Sequence, residues 1–261
     1  MPGSETKAQL RTRIWDLMTC QGVALFPGAY GRTPTFRGMA EAVGRLRGLE
    51  AWARAGRVMV LGEAVLEGAR LAAIEDGKTL VVPDLSLCGT GWILEIDPGR
   101  MGREAALAAA RGSGCGCAGP LEGVRALPGH ETAPVELMAI GAVAVNRRGA
   151  CIGSGDGGAD LTYALARDRG ILRSETPVAV LVHPLQIFDE PLEREPTDLP
   201  IDFIVTPAGI LAVETVVMRP KGLHPSMITA QRLETFPRLR EILEREGIPL
   251  PEKGGRAHPV G

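Results

Sequence analysis

The 261 residues, 45% apolar and 23% charged, have the make-up of an ordinary globular protein with enough apolar material for a sizeable core. A formal charge of -2 gives no electrostatic reason to expect nucleic acid or an anionic membrane as partner. No apolar run approaches the roughly 18 residues of a membrane span, and the opening MPGSETKAQLR lacks the apolar core of a signal peptide, so a cytoplasmic protein is expected. Five scattered cysteines suit a reducing compartment. Cys115 and Cys117, in GSGCGCAGP, read as part of a flexible Gly-rich loop, because no second ligand pair follows at a zinc-site spacing.

In chain order, Thr6 to Met18 predicts an amphipathic helix capped by Thr6, with Leu10, Ile14, Leu17 and Met18 on one face. Lys7 and Arg11 lie four apart and project together, either as a solvated basic face or as a two-pronged phosphate clamp. Lysine is rare, four against 25 arginines, which makes Lys7 and Lys78 slightly more informative. The stretch GVALFPGAYGRTPTFRG is too rich in Gly and Pro for a helix and predicts a loop, with Phe26 and Arg32 as candidate substrate contacts. A helix is expected over Met39 to Ala55, ending before Gly56.

From there short β-rich runs alternate with helical ones. Strands are expected at Arg57–Leu61, Thr79–Val82, Val135–Val145, Val178–Val182 and Phe203–Val205, with an edge strand or hairpin over Ile210–Met218. Helices are expected at Ala64–Ile74, Leu161–Arg169 and Arg232–Glu246, and Asp97–Pro128 reads as an irregular insertion. The alternation predicts an α/β protein with a mostly parallel sheet and helices on both faces. We expect one domain over residues 1–250 and a frayed tail over 251–261.

The most specific local feature is the segment from Arg147 to Asp160, RRGACIGSGDGGAD, between a strand and a helix. Gly153, Gly155, Gly157 and Gly158 let the backbone approach a ligand closely, and the helix start behind them suits an anion. The spacing is neither a dinucleotide fingerprint nor a Walker lysine loop. Arg147 and Arg148 add positive charge, and Asp160 is a candidate magnesium ligand. His183 and Gln186 follow the strand VAVLV, where ligands bind in open α/β sheets, although His183 reads equally well as a structural histidine. Asp202 opens another strand among apolar neighbours, where a carboxylate needs a partner. Glu63 ends the strand RVMVL and suits either a polar ligand or a helix N-terminus.

These residues, in this order, resemble the 5-formyltetrahydrofolate cyclo-ligase family over about Lys7 to Pro207. The resemblance rests on Lys7-x-x-Leu10-Arg11, Glu63 before Gly77-Lys78, the loop GSGDGGAD and IDFIVTP. FPGA, Pro34 to Gly38, AVNRRG, ADLTYA and VHPLQ resemble in particular the branch of methenyltetrahydrofolate synthetase domain-containing proteins. The resemblance implies a three-layer α/β/α fold, of the broad class shared with CoA-transferases and sugar-phosphate isomerases. It also implies ATP and Mg2+ as requirements and a reduced folate as substrate. In that chemistry the formyl oxygen attacks the γ-phosphate, N10 closes onto the activated carbon, and phosphate leaves.

Carried over, Lys7 and Arg11 bind phosphates, and the loop Gly153, Ser154, Gly155, Asp156, Gly157 and Gly158 cradles them. Asp160 and Asp202 serve magnesium, and Glu63 contacts the pterin, with Phe26, Arg32, His183 and Gln186 as further substrate contacts. Members of the family usually carry a basic residue where Ser154 stands, two tyrosines where Gly158 and Ala159 stand, and an arginine at Leu161. Arg147 or Arg148, from the preceding turn, is the expected substitute cation. Two other readings stay open: the same carbonyl activation on a different formyl or carboxyl substrate, and a non-catalytic folate or nucleotide binder.

Overall fold

A computed structural model describes residues 5–85, 92–113, 123–190, 194–213 and 219–245. Cys88, Cys115, Cys117 and the tail 251–261 lie outside the described residues. Helix α1 (Lys7–Cys20) starts where Thr6 and Gln9 form a reciprocal capping box, and buries Leu10, Ile14 and Met18. The Gly/Pro stretch after it is irregular apart from one bridge between Ala24 and Phe36. The helix expected over Met39–Ala55 is two, α2 (Met39–Arg47) and α3 (Glu50–Arg54), parted where the Gly48 N–H closes back onto the Gly44 and Arg45 carbonyls.

Strand β1 (Arg57–Val60), helix α4 (Glu67–Glu75) and strand β2 (Thr79–Pro83) follow as expected. Between β1 and β2, Lys78 is buried, donates to the Ala55 carbonyl at 2.7 Å and lies 5.6 Å from the Trp52 ring centre, so it ties α3 to the sheet. Strand β3 (Ile93–Ile96) was not signalled by the sequence. The supposed irregular insertion carries α5 (Pro98–Met101), α6 (Arg103–Gly112) and β4 (Arg125–Leu127).

The apolar run Val135–Val145 is not one strand. It makes β5 (Leu137–Gly141) and then β6 (Ala144–Asn146), which belong to different sheets. After these come β7 (Cys151–Ile152), α7 (Gly158–Asp168), β8 (Val178–Leu181), β9 (Ile187–Phe188), β10 (Phe203–Thr206) and β11 (Gly209–Ala212). The expected C-terminal helix is split by Pro237 into α8 (Ala230–Thr235) and α9 (Pro237–Arg245).

The large sheet has eight strands in the order β11-β10-β8-β5-β1-β2-β3-β4. Its centre, β10-β8-β5-β1-β2, is parallel, and β11, β3 and β4 add antiparallel edges. Every residue of β3, β5 and β8 is buried, so both faces are covered. Helices α2, α4 and α6 pack on one another and on the large sheet, while α1 packs on β6 of a small sheet ordered β7-β6-β9. These layers share one continuous apolar core, the three-layer α/β arrangement expected. Among the described residues, no helix is long and apolar enough to cross a membrane.

The chain leaves β1 toward β2 on one side and returns to place β5 on the other. That reversal opens a crevice at the carboxyl ends of β1 and β5, the usual ligand position in such sheets.

Candidate active site

A cleft of about 640 Å³ occupies that crevice. Its floor is built from the carboxyl ends of three parallel strands: Leu61 to Ala64 after β1, Pro83 to Leu85 at the end of β2, and Gly141 at the end of β5. Lys7 and Arg11 reach in from α1, Arg32 and Thr33 from the Gly/Pro loop, and Gly153 to Asp160 from the turn that opens α7. The rest of the lining is Glu195 and Thr197 to Leu199, together with Arg232, Thr235 and Phe236 from α8 and just beyond it.

Glu63 lies on the floor. Its Oε1 accepts from the Thr33 hydroxyl at 2.6 Å and its Oε2 from the Gly141 N–H at 3.0 Å. Gly141 makes this approach feasible, since a Cβ there would lie 2.6 Å from Thr33 Cγ2 and 2.7 Å from Val65 Cγ1. Burial pushes the Glu63 carboxyl above its ordinary value, against the lowering effect of the two hydrogen bonds.

The glycine turn is wound against the basic residues. Arg11 donates Nε to the Gly153 carbonyl at 2.8 Å, and its guanidinium packs beside Gly155. Asp156 accepts from the Gly158 N–H at 2.9 Å, which fixes the entry to α7. Gly157 caps that helix with φ +72°, a conformation that glycine adopts without penalty. Burial pulls the Arg11 guanidinium down from its ordinary value, against the charges of Asp156, Asp160 and Asp198.

Asp160 sits in the first turn of α7, where the helix dipole favours an acid. One of its oxygens accepts from the Leu199 N–H at 2.9 Å. Burial pushes its carboxyl up to about 6; the Leu199 bond opposes this and the nearby Asp198 charge adds to it. Lys7 is paired across the cleft with Asp198 at 2.8 Å and Glu195 at 3.4 Å. Cys151 also lines the cleft, but burial holds its thiol well above the ordinary value, so it stays protonated.

The structure therefore brings together Lys7, Arg11, Arg32, Glu63, the turn Gly153–Gly158 and Asp160. The other candidates lie elsewhere. Arg148 is exposed at the tip of the turn joining β6 to β7, its backbone N–H on the Asn146 side chain, and Arg147 beside it pairs with Asp189 at 3.6 Å. Phe26 is 95% exposed and does not line the cleft. His183 accepts the Leu185 N–H at 3.2 Å and meets the Phe36 ring edge-on at 5.8 Å, so it caps a short turn and is structural. Gln186 is fully buried and donates to the Ala142 and Val143 carbonyls at 2.7 and 3.2 Å, the groups stranded where the chain leaves one sheet for the other.

Asp202 is not a metal ligand of this cleft. It enters β10 at the amino end, away from the strand ends that form the floor, accepts from the Val178 N–H at 2.7 Å and pairs with Arg219 at 2.6 Å. Replacing it with alanine is expected to lower stability by about 1–3 kcal/mol, because a half-buried Arg219 and a backbone donor lose their partner. Thermal unfolding measured beside turnover checks this: lost magnesium dependence at unchanged stability would return Asp202 to the metal site.

Sequence reasoning missed Thr33, Asp198, Arg232 and Phe236. Asp198 and Arg232 lie far along the chain from the glycine turn they face, and only the folded arrangement joins them.

A cleft of this size, lined by side chains of both charges at the switch point of a parallel sheet, defines an α/β protein with a small-molecule site at the usual ligand position. The sequence matches the model of the 5-formyltetrahydrofolate cyclo-ligase family over residues 3–207, and the chain belongs to that family. It is 34% identical over 247 residues to a mouse methenyltetrahydrofolate synthase domain-containing protein, covering 92% of this chain and 64% of that one. The human counterpart is also 34% identical, with 92% and 62% covered, so the chain spans a little under two thirds of these relatives. Among solved structures it is similar to the Aquifex aeolicus 5,10-methenyltetrahydrofolate synthetase, at 18% identity and a TM-score of 0.49, over 81% of this chain and 94% of that one.

Proposed function

We propose that this chain catalyses the ATP- and Mg-dependent conversion of 5-formyltetrahydrofolate to 5,10-methenyltetrahydrofolate in the cytoplasm. The observation that carries the reading is that basic side chains of α1, the glycine turn of α7 and a half-buried carboxylate on the floor line one cleft. Lys7 and Arg11 bind the phosphates, and the backbone from Gly153 to Gly158 lines them. Lys7 exchanges its carboxylate partners Asp198 and Glu195 for phosphate oxygens when the nucleotide enters.

Glu63, held by Thr33 and Gly141, contacts the pterin, with Arg32 at the same end of the cleft. Magnesium takes one or two carboxylates beside phosphate oxygens and waters, so Asp160 with neighbouring Asp198 fits it, although no cluster of three candidate ligands exists among the described residues. When bound, the ion neutralises phosphate charge as the phosphoryl group transfers. The reaction needs positioning and charge neutralisation and no covalent nucleophile, which agrees with a protonated Cys151.

The test is the absorbance of the methenyl product when the purified chain meets 5-formyltetrahydrofolate and MgATP. ATP-dependent appearance of that band is expected. Its absence from folded protein that binds ATP would overturn the folate reading.

A further inference from the structure

We propose that Arg232, from the helical segment beyond the family match, is a phosphate-binding residue of the cleft and supplies there the cation that the glycine turn itself does not carry. The proposal rests on the polyphosphate site just described, but it concerns a residue and a segment outside the family's matched residues 3–207. A match covering 92% of this chain cannot be reached without running past residue 207, so the mouse relative shares sequence with this segment.

The contact is close. The Arg232 guanidinium fills the space that a side chain on Gly157 would need, with its Cζ 2.6 Å from an ideal Cβ at that position. Phe236, one helical turn further on, stands 3.0 Å from an ideal Cβ on Gly158 and fixes the distance of α8 from the turn. The segment is anchored on both sides of these residues. Thr229 caps α8 through the Arg232 N–H, Arg232 Nη1 donates to the Met227 carbonyl at 3.0 Å, and the Arg238 N–H reaches the Leu85 carbonyl at the end of β2. Leu233, Leu239 and Leu243 are buried in the common core. This stretch is thus a built wall of the cleft.

Charge separates Arg232 from its neighbours. Lys7 is paired with two carboxylates, and Arg11 spends Nε on the Gly153 carbonyl. Among the described residues no carboxylate lies within ion-pair range of Arg232; the partner shown for its guanidinium is a neutral carbonyl. The turn offers Ser154 and backbone where a side-chain cation would serve, and Arg148 is exposed at the far end of the β6–β7 hairpin. An anion seated on the turn therefore meets in Arg232, beside Arg11 and Arg32, a guanidinium held by no carboxylate among the described residues, and an arginine fork matches phosphate oxygens.

The experiment is calorimetric titration of the full chain with tripolyphosphate and with MgATP, alongside turnover. Arg232→Gln keeps a donor for the Met227 carbonyl and removes the charge; Arg232→Lys keeps the charge, and Arg240→Ala on the exposed face of α9 is the control. Arg232→Gln is expected to weaken tripolyphosphate about tenfold or more, as loss of a charged hydrogen bond does. Arg232→Lys should retain part of the affinity, and adding Ser154→Arg to Arg232→Gln should restore part of it. Restoration by a cation placed at another position of the turn is a readout that a purely structural arginine would not give.

Unchanged tripolyphosphate affinity in Arg232→Gln, or no tripolyphosphate binding by the wild type, overturns the proposal. The two readings fail separately. Arg232-dependent tripolyphosphate binding without methenyl product removes the folate reading alone. Methenyl product from Arg232→Gln at an unchanged KM for ATP removes this proposal alone.

Discussion

Asp160→Asn is expected to lower kcat/KM by about a hundred- to a thousandfold, the scale of losing one charged group that acts in the transition state, and to make the protein more stable at neutral pH. Both effects come from one carboxylate. Its carboxyl is pushed from 3.8 to about 6 by burial, so the folded state favours the protonated form. The stability Asp160 contributes is therefore fullest below about pH 4 and is lost as pH rises through 6. A shift of this size, discounted for partial exposure to solvent, amounts to about 1–2 kcal/mol. Asparagine keeps an oxygen for the Leu199 N–H and carries no charge, so the variant escapes that penalty. Its thermal midpoint should exceed the wild type by a few degrees at pH 8, with the gap closing as pH falls through 6 toward 4. Full activity in the variant would remove Asp160 from the catalytic cleft, and an unchanged midpoint at pH 8 would show that its charge is already compensated.

What the sequence revealed of this molecule follows from how local each signal is. The start of α1 is written in four consecutive residues, Thr6 to Gln9, and its stripe of Leu10, Ile14 and Met18 repeats at helical spacing, so both were legible. Strands β1, β2 and β8 are short apolar runs bounded by polar residues, and they too were legible. The run Val135–Val145 was not, because a segment buried on all sides carries no periodic signal to show where one sheet ends. The signal for the break lies 43 and 44 residues beyond the freed carbonyls, in Gln186, whose amide answers them.

The site divides along the same line. Local reasoning left Lys7, Arg11 and Glu63 open between a bland and a functional reading, the family resemblance chose the functional one, and all three line the cleft with the glycine turn. Arg148 is five residues from Gly153, yet a hairpin reverses between them and leaves Arg148 at its tip. Asp202 is one residue from a strand, but from its amino end. For Arg148 proximity in sequence was read as proximity in space; for Asp202 the resemblance supplied the role, and in both the direction of the chain decided otherwise.

The same isosteric exchange at Glu63 should have the opposite effect on stability. Asp160 accepts one backbone hydrogen bond, which an amide oxygen can keep; Glu63 uses both oxygens, one for the Thr33 hydroxyl and one for the Gly141 N–H. In Glu63→Gln the amide oxygen can serve the Gly141 N–H, and its NH2 then meets the Thr33 hydroxyl, which must turn to accept and leaves its own proton without the carboxylate. A buried donor left without an acceptor costs about 1–3 kcal/mol, more than is recovered by removing a charge whose two hydrogen bonds already oppose the burial penalty. The midpoint of Glu63→Gln is therefore expected to fall by a few degrees where that of Asp160→Asn rises. The kinetic signatures separate as well. Glu63 stands on the floor, held by Thr33 and Gly141, and as the assigned pterin contact its loss should raise the KM for 5-formyltetrahydrofolate about tenfold or more, as a lost charged hydrogen bond does, and leave the KM for ATP unchanged. Steady-state kinetics with each substrate varied in turn distinguish the outcomes: a raised KM for ATP alone would move Glu63 to the nucleotide end of the cleft, and unchanged values for both would make it a structural carboxylate that holds Thr33 against β5.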